Sequence, residues 1–181
     1  MSRLVLMLCG LMLTGLVFAA GVKSTTPGMP KIMVVDFELR DVSPIPDMAQ
    51  EVERTALIDS GIRKALTDNG YALMAPCDAL KQASEQGVGY LYDRPELAGK
   101  MGGECGADYV LKGQTWKPSF LFVFPQVQLV DTREHLTRKQ LVVVSRALQL
   151  EASTLDKNVT EAAAKKLAVQ IIDKLKSLKK Q

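Results

Sequence analysis

The chain has 181 residues, of which 47% are hydrophobic and 24% are charged, and its formal net charge at pH 7 is +3. This length suits one ordinary domain with a substantial hydrophobic core. Acidic and basic side chains nearly balance, which excludes a broad electrostatic basis for binding nucleic acid. The single histidine and three cysteines leave few nitrogen or sulfur ligands for a zinc site.

The first 20 residues have the pattern of a secretory signal peptide. Arg3 supplies a positive charge, Leu4 to Phe18 form an uncharged apolar run of 15 residues, and small residues follow at positions 19–21. An uncleaved membrane anchor is the alternative, but the run is shorter than the roughly 20 residues that span a bilayer. No later stretch is long and apolar enough to cross a membrane. We therefore expect an exported protein of the periplasm with no transmembrane segment once the signal is removed.

Only two cysteines, Cys77 and Cys105, remain after the signal peptide. Two cysteines in an oxidising compartment most often pair, so we predict a disulfide between them. A bridge closing a loop of this length would stabilise the fold by roughly 3–4 kcal/mol in the chain-entropy model. The alternative is two thiols buried separately. A redox-active pair is disfavoured because the C-x-x-C spacing is absent.

Residues 21–30 are rich in Ser, Thr, Gly and Pro and are predicted to form a flexible leader. A single domain is then predicted over residues 31–181. It begins with a strand from Lys31 to Leu39, in which the apolar run from Ile32 to Val35 is typical of a strand buried on both faces.

Helical and short extended segments follow this strand. The main helix is expected from Asp47 to Thr67, with Asp47 as its N-cap and a left-handed end at Gly70. A short strand, a short helix and a helix with proline in its first turn are predicted next. Their ranges are Tyr71–Ala75, Asp78–Gln86 and Pro95–Gly102.

A β-meander between Gly106 and Leu150 is predicted to form half or more of the sheet. A long C-terminal helix follows, because apolar residues from Leu155 to Leu178 recur every three or four positions. The element order is β-α-β-α-β-β-β-α. It indicates an α/β (α+β) fold with a single mixed sheet and helices packed on it.

Four aromatic residues crowd the meander. Phe120, Phe122 and Phe124 share one face of a strand, and Trp116 lies just before them. They form either a contact surface for a partner or the core beneath the helices, and the core interpretation is favoured. Pro125 cannot donate a ladder hydrogen bond, so this strand should be an edge or carry a bulge there.

Polar residues offer a weaker site. Asp36, Glu38 and Asp41 cluster near a predicted strand end, where carboxylates could bind a ligand or cation, although a solvated strand end is the favoured interpretation. His135 is expected to be solvated in a hairpin loop, and no Gly-x-Ser-x-Gly elbow supports a catalytic triad. The sequence therefore predicts no catalytic residue, no metal site and no cofactor.

Three segments together resemble a known family. Lys31 to Leu39, the helix ending at Gly70, and Gly106 to Gly113 with the hairpin and helix beyond resemble an uncharacterised bacterial envelope family, a domain of unknown function. This family is similar to the α/β domain of the TolB N-terminus and of the CsgG and LpoB lipoproteins. The resemblance spans Lys31 to Leu178 and implies a module that binds other proteins, with no catalytic residues. The chain departs from the lipoproteins because it has no lipobox.

These observations lead to two functional hypotheses. The first is a non-enzymatic periplasmic interaction or accessory module of the envelope, auxiliary to a transport or assembly system, with an envelope protein as its partner. The alternative is a periplasmic protein that binds a small ligand or metal ion through the carboxylates near Asp36. Neither involves nucleic acid.

Export can be tested on the native polypeptide. Because Ala19 and Gly21 both satisfy the small-residue rule, we expect the protein recovered from the periplasm to begin at Ala20 or Val22. N-terminal sequencing and intact-mass measurement check this. A cytosolic protein that begins at Met1 would contradict the predicted export and remove the basis for the disulfide.

Overall fold

The computed structural model describes residues 28–44, 48–133 and 136–179. The predicted signal peptide, most of the leader, the N-cap residue Asp47 and the loop residue His135 lie outside the described residues, and those expectations stay predictions. No helix within the described ranges is both long enough and apolar enough to cross a bilayer.

The elements confirm the predicted class. The strands are β1 Lys31–Val34, β2 Glu38–Asp41, β3 Ala72–Met74, β4 Tyr109–Lys117, β5 Phe122–Asp131, β6 Val142–Ala147 and β7 Leu150–Glu151. The helices are α1 Met48–Asp68, α2 Asp78–Ser84, α3 Pro95–Glu104, α4 Arg138–Leu141 and α5 Lys157–Leu178.

All seven strands of the described residues form one mixed sheet in the order β3-β1-β4-β5-β6, with β2 beside β4 and β7 beside β5. β1 runs parallel to both β3 and β4. β4, β5 and β6 are antiparallel neighbours, as the predicted meander requires. Pro125 faces the interruption between β6 and β7, where the Leu148 N–H donates to its carbonyl at 3.0 Å. The edge or bulge predicted at Pro125 is not found, because β5 is an interior strand and keeps its register from the Gln126–Ala147 pair to the Val123–Leu150 pair. The register shift in β5 lies at Leu129/Val130 instead.

The first predicted strand is split in two. Val34 pairs with Leu111, and Glu38 pairs with Gln114. Between these two pairs the segment from β1 to β2 therefore has one residue more than β4. Phe37 lies in this bulged segment, and its ring packs on Gly113, where an added Cβ would come within 2.2 Å of the ring. Phe37 thereby packs against the larger hydrophobic core, which is the physical reason for the break.

Each sheet face has its own hydrophobic core. α1 and α5 cover one face, where residues such as Ile62 and Leu167 pack on Leu111. These two helices approach closely, because a Cβ on Gly61 would lie 2.8 Å from the Cβ of Ala164. The opposite face carries a second, smaller core.

The second core is built on Met33, Val110 and Val130 and is covered by α2, α3 and the segment that joins them. The predicted disulfide is present here, linking Cys77 before α2 to Cys105 after α3, and both cysteines pack against this core. The bridge fixes both helices to the same part of the sheet.

The contact between Phe37 and Gly113 can be tested by a double-mutant cycle. Gly113 is not among the glycines with positive φ, so a loss on Gly113→Ala must come from collision with the ring. We expect the free energy of unfolding in urea to fall by about 1–3 kcal/mol. In a Phe37→Ala background the same substitution should cost almost nothing, because the space is then empty. Equal costs in the two backgrounds would show that the ring does not determine the requirement for glycine.

Candidate functional site

The loop between β4 and β5 carries the largest exposed apolar group of the described residues. We call residues 118–122 the hairpin tip. Its Phe120, Leu121 and Phe122 are 57%, 52% and 38% exposed. Exposed apolar residues that follow one another in sequence are typical of a contact surface rather than of scattered surface hydrophobics.

The structure corrects the interpretation of these aromatic residues as core. Phe120 and Phe122 are exposed, and none of the four predicted aromatic residues belongs to either hydrophobic core. Val123, on the opposite face of β5, is fully buried together with Val127. The two faces of β5 alternate as predicted, but the face of Val123 and Val127 lies in the interior and the phenylalanine face does not.

A signal for the correct face was present in the sequence. Gln126 and Gln128 continue the phenylalanine face, whereas Val127 and Leu129 continue the face of Val123. Two glutamines in register with a row of rings indicate a face that is at least partly open to solvent.

The structure separates the four aromatic residues into two groups. Phe120 and Phe122 lie at the tip, whereas Trp116 and Phe124 pair across β4 and β5. The centroids of these two rings are 5.5 Å apart and their planes are inclined by 36°. Such tilted contacts stabilise aromatic pairs beyond the burial of their area.

A polar row lies beside this aromatic pair. Gln114 and Gln126 are opposite each other, and Gln114 Nε2 donates to Gln126 Oε1 at 2.8 Å. Arg40 of β2 lies next to Trp116. We call Arg40, Gln114, Trp116, Phe124 and Gln126 the open platform. Gln114 is only 4% exposed, and its Oε1 has no hydrogen-bond partner among the described residues.

The segment from Gly87 to Arg94 forms a wall along one side of the platform. Arg40 contacts it through Asp93, at 3.3 Å between Nη1 and Oδ2. Glu38 accepts a hydrogen bond from the Gly89 N–H. Burial raises the pKa of the Glu38 carboxyl, although this hydrogen bond opposes the effect. The wall is therefore attached to β2 by charged side chains.

Lys112 holds the same wall from beneath. Its side chain is 2% exposed, and its Nζ donates to the carbonyls of Leu91 and, at 3.0 Å, Tyr92. Burial lowers the pKa of the Lys112 ammonium to about 7, although the carboxylates of Glu96 and Asp93 oppose the effect. A lysine bound to two backbone carbonyls is positioned to hold structure rather than to attack a substrate.

A second group of buried charges lies beneath the hairpin tip. Lys117 Nζ lies 3.5 Å from Asp41 Oδ2 and 3.9 Å from Glu51 Oε1. Arg54 Nε pairs with Glu51 Oε2 at 2.9 Å, and its Nη2 donates to the Thr154 carbonyl at 3.2 Å. Two acids and two bases thus compensate one another in a place where unpaired charges would be costly.

The three predicted carboxylates have separate partners. Asp36 is exposed and pairs with Arg63 at 2.8 Å, whereas Glu38 joins the wall and the side chain of Asp41 is buried beside Lys117. Burial raises the pKa of Asp41, but hydrogen bonds from Ser43 and the charge of Lys117 outweigh this and lower it. Across the described ranges, no group of three or more His, Cys, Asp or Glu side chains could hold a metal ion.

A cavity of about 610 Å³ lies beside α3. Glu96, Lys100 and Arg133 contribute charges of both signs to its lining, and Leu141 contributes an apolar wall. None of the predicted site residues lines this cavity, so the open platform and the hairpin tip remain the distinctive surfaces.

Sequence comparison identifies the family. Residues 30–147 match DUF3280, described as a protein of unknown function (DUF2380), and the chain belongs to this family. The predicted resemblance to a family of unknown function is thereby confirmed. A search of the curated proteins found no significant match.

Several solved structures are similar to the chain. The LpoB C-terminal domain from Salmonella enterica is 18% identical, with a TM-score of 0.42, over 67% of this chain and 82% of that one. Lipoprotein GNA1162 from Neisseria meningitidis is 18% identical, with a TM-score of 0.44, over 79% and 96%. A PelC dodecamer from Paraburkholderia phytofirmans is 17% identical, with a TM-score of 0.42, over 84% and 91%. These likenesses assign no role to the chain.

The lowered pKa of Lys112 predicts a pH-dependent stability. Between pH 7 and 9 the unfolded lysine keeps its proton while the folded lysine releases it, so the free energy of unfolding rises with pH. We expect the free energy of unfolding of Lys112→Met to rise less steeply with pH than that of the wild type, by up to about 1 kcal/mol per pH unit. Urea denaturation at several pH values measures it. The matched control is Lys100→Met, because Lys100 is 73% exposed and should keep the wild-type slope. Equal slopes in all three proteins would contradict the prediction.

Proposed function

We propose that the protein is an exported, non-enzymatic interaction module of the bacterial cell envelope, accessory to a transport or assembly system, and that the hairpin tip contacts its partner. The exposure of Phe120, Leu121 and Phe122 is the observation that carries this proposal. The hairpin tip contains no charged side chain. Removing its exposed apolar surface from water on binding is favourable by roughly 25 cal/mol per Å².

The backbone of the tip is held before any partner arrives. Ser119 Oγ accepts hydrogen bonds from the N–H groups of Leu121 and Phe122, at 3.3 and 3.2 Å. The Leu121 carbonyl accepts from Ala152 at 2.9 Å. A contact surface that is already ordered loses less conformational entropy on association, which favours specific binding.

The surroundings of the tip indicate the chemistry of the partner. Glu151 is exposed and lies opposite Phe122 in the pairing of β7 with β5. A partner with an apolar pocket and a basic rim would complement the rings and this carboxylate.

The buried charged groups support a non-enzymatic role. Lys112 is bound to backbone carbonyls, and Lys117 bridges two carboxylates. Both therefore stabilise the sheet end and its wall. Their arrangement favours a rigid platform for binding over a reacting centre.

Site-specific photo-crosslinking tests the proposal. Benzoylphenylalanine replaces Leu121 in cells that express the protein, and the control carries it at Val169 on α5, which is 47% exposed. We expect a defined crosslinked envelope protein from position 121 alone. The product should disappear in a Phe120→Ser/Phe122→Ser background, because the apolar contact is lost. No product from position 121, or the same products from both positions, would exclude the tip as a contact surface.

A further inference from the structure

A further surface lies on α5, on the opposite side of the sheet from the wall. We infer that this surface pairs with the same surface of a second copy of the chain, so that two α5 helices cross antiparallel at Val169. The surface consists of Glu161, Lys165, Val169, Asp173 and Lys176, and we call it the α5 ridge. All five residues are exposed. The inference does not depend on the contact proposed for the hairpin tip.

Helical periodicity places the ridge on the outer side of α5. Lys165, Val169 and Asp173 follow one another at intervals of four residues, which is about one helical turn. Leu167 and Ile171 lie on the inner side of the helix and pack in the larger core. The ridge therefore projects away from the sheet, where a second molecule has access to it.

An apolar groove accompanies the ridge. It lies between α1 and α5, has a volume of about 650 Å³, and includes Leu57, Ala65, Val169 and Ile172 in its lining. Val169 is 47% exposed, whereas the other three are buried or half-buried. A second helix laid along the ridge would cover Val169 and part of this groove. Removing that apolar surface from water favours association.

The charges of the ridge change sign about Val169. Lys165 lies one turn before Val169 and Asp173 lies one turn after it. Antiparallel pairing centred on Val169 therefore brings Lys165 to Asp173 of the second copy, and Asp173 to Lys165 of that copy. It also brings Glu161 to the end of the second helix that carries Lys176. A surface with this pattern is complementary to itself, as an isologous dimer requires.

The same pattern excludes the parallel arrangement of two ridges. Parallel pairing would place Lys165 against Lys165 and Asp173 against Asp173 of the second copy. Like charges placed opposite one another in an interface are costly. The direction of the crossing is thus determined by the sequence of the ridge.

Opposite charges at intervals of four also stabilise a solvated helix through ion pairs within it. On α1, Lys64 and Asp68 form such a pair at 2.6 Å. Within the described ranges, by contrast, neither Lys165 nor Asp173 makes an ion pair. These two charges are therefore available to a second molecule, and the charge pattern identifies that molecule as another copy of the chain.

Exchange of the two central charges tests the inference. The disulfide-bonded protein, purified without its predicted signal peptide, is examined by sedimentation velocity at low ionic strength, where exposed ion pairs are least screened. We expect a reversible dimer. Lys165→Glu and Asp173→Lys should each raise the dimer Kd at least about tenfold, because each places like charges opposite one another twice. The double variant Lys165→Glu/Asp173→Lys should return the Kd to within about threefold of the wild type, since opposite charges face each other again.

The matched controls are Lys81→Glu and Asp78→Lys on α2, which is on the other side of the sheet. Both residues are exposed, so these charge reversals should leave the dimer Kd unchanged. Thermal melting of each variant shows that it remains folded. Exposed positions outside both cores tolerate such substitutions, with changes in stability of about 0.5 kcal/mol or less.

A crosslink provides a second readout. Benzoylphenylalanine at Val169, the control position for the hairpin tip, should link two copies of this chain and no other envelope protein. This product should persist in the Phe120→Ser/Phe122→Ser background, so failure of the ridge and failure of the tip are distinguishable. A protein that stays monomeric up to about 200 μM would overturn the inference. So would a dimer that neither single charge reversal weakens, a double exchange that fails to restore the Kd, or a crosslink from position 169 to a different protein.

Discussion

The end of the sheet that carries both surfaces is fixed by a buried group of charges. Lys117 lies between the carboxylates of Asp41 and Glu51, and Arg54 joins Glu51 to the chain before α5. These residues come from β2, β4 and α1, so one cluster secures three elements. Separating any member would leave an uncompensated charge in the interior, which costs several kcal/mol. The hairpin tip extends from this fixed base.

Unequal covering of the two sheet faces creates the candidate site. α1 and α5 close one face with a large core, whereas α2 and α3 cover only the part of the other face around Val110 and Val130. Farther along β4 and β5, the side chains on this second face lie outside both cores. They are amides and aromatic rings instead of valines. Lys112 stands at the boundary, since it lies in the sheet but holds the wall above it.

Local patterns accounted for most of the fold, because helices and hairpins depend on residues close in sequence. The helical repeat and turn residues placed α1, α5 and the meander, and the cysteine count predicted the disulfide. The break between β1 and β2 depends on Phe37 meeting Gly113, and the buried cluster depends on Asp41 meeting Lys117. Both contacts join distant parts of the chain and have no local signature. The aromatic face was predicted wrongly because apolar rings suit a core and a partly open face equally well, and only the neighbouring Gln126 distinguishes the two.

The disulfide has a consequence for the platform. The ring of chain closed by Cys77 and Cys105 contains the segment from Gly87 to Arg94, which is the wall beside Arg40. A wall enclosed in a covalent ring has fewer alternative arrangements than one tethered by side chains alone. Formation of this disulfide therefore limits the freedom of a surface that contains no sulfur.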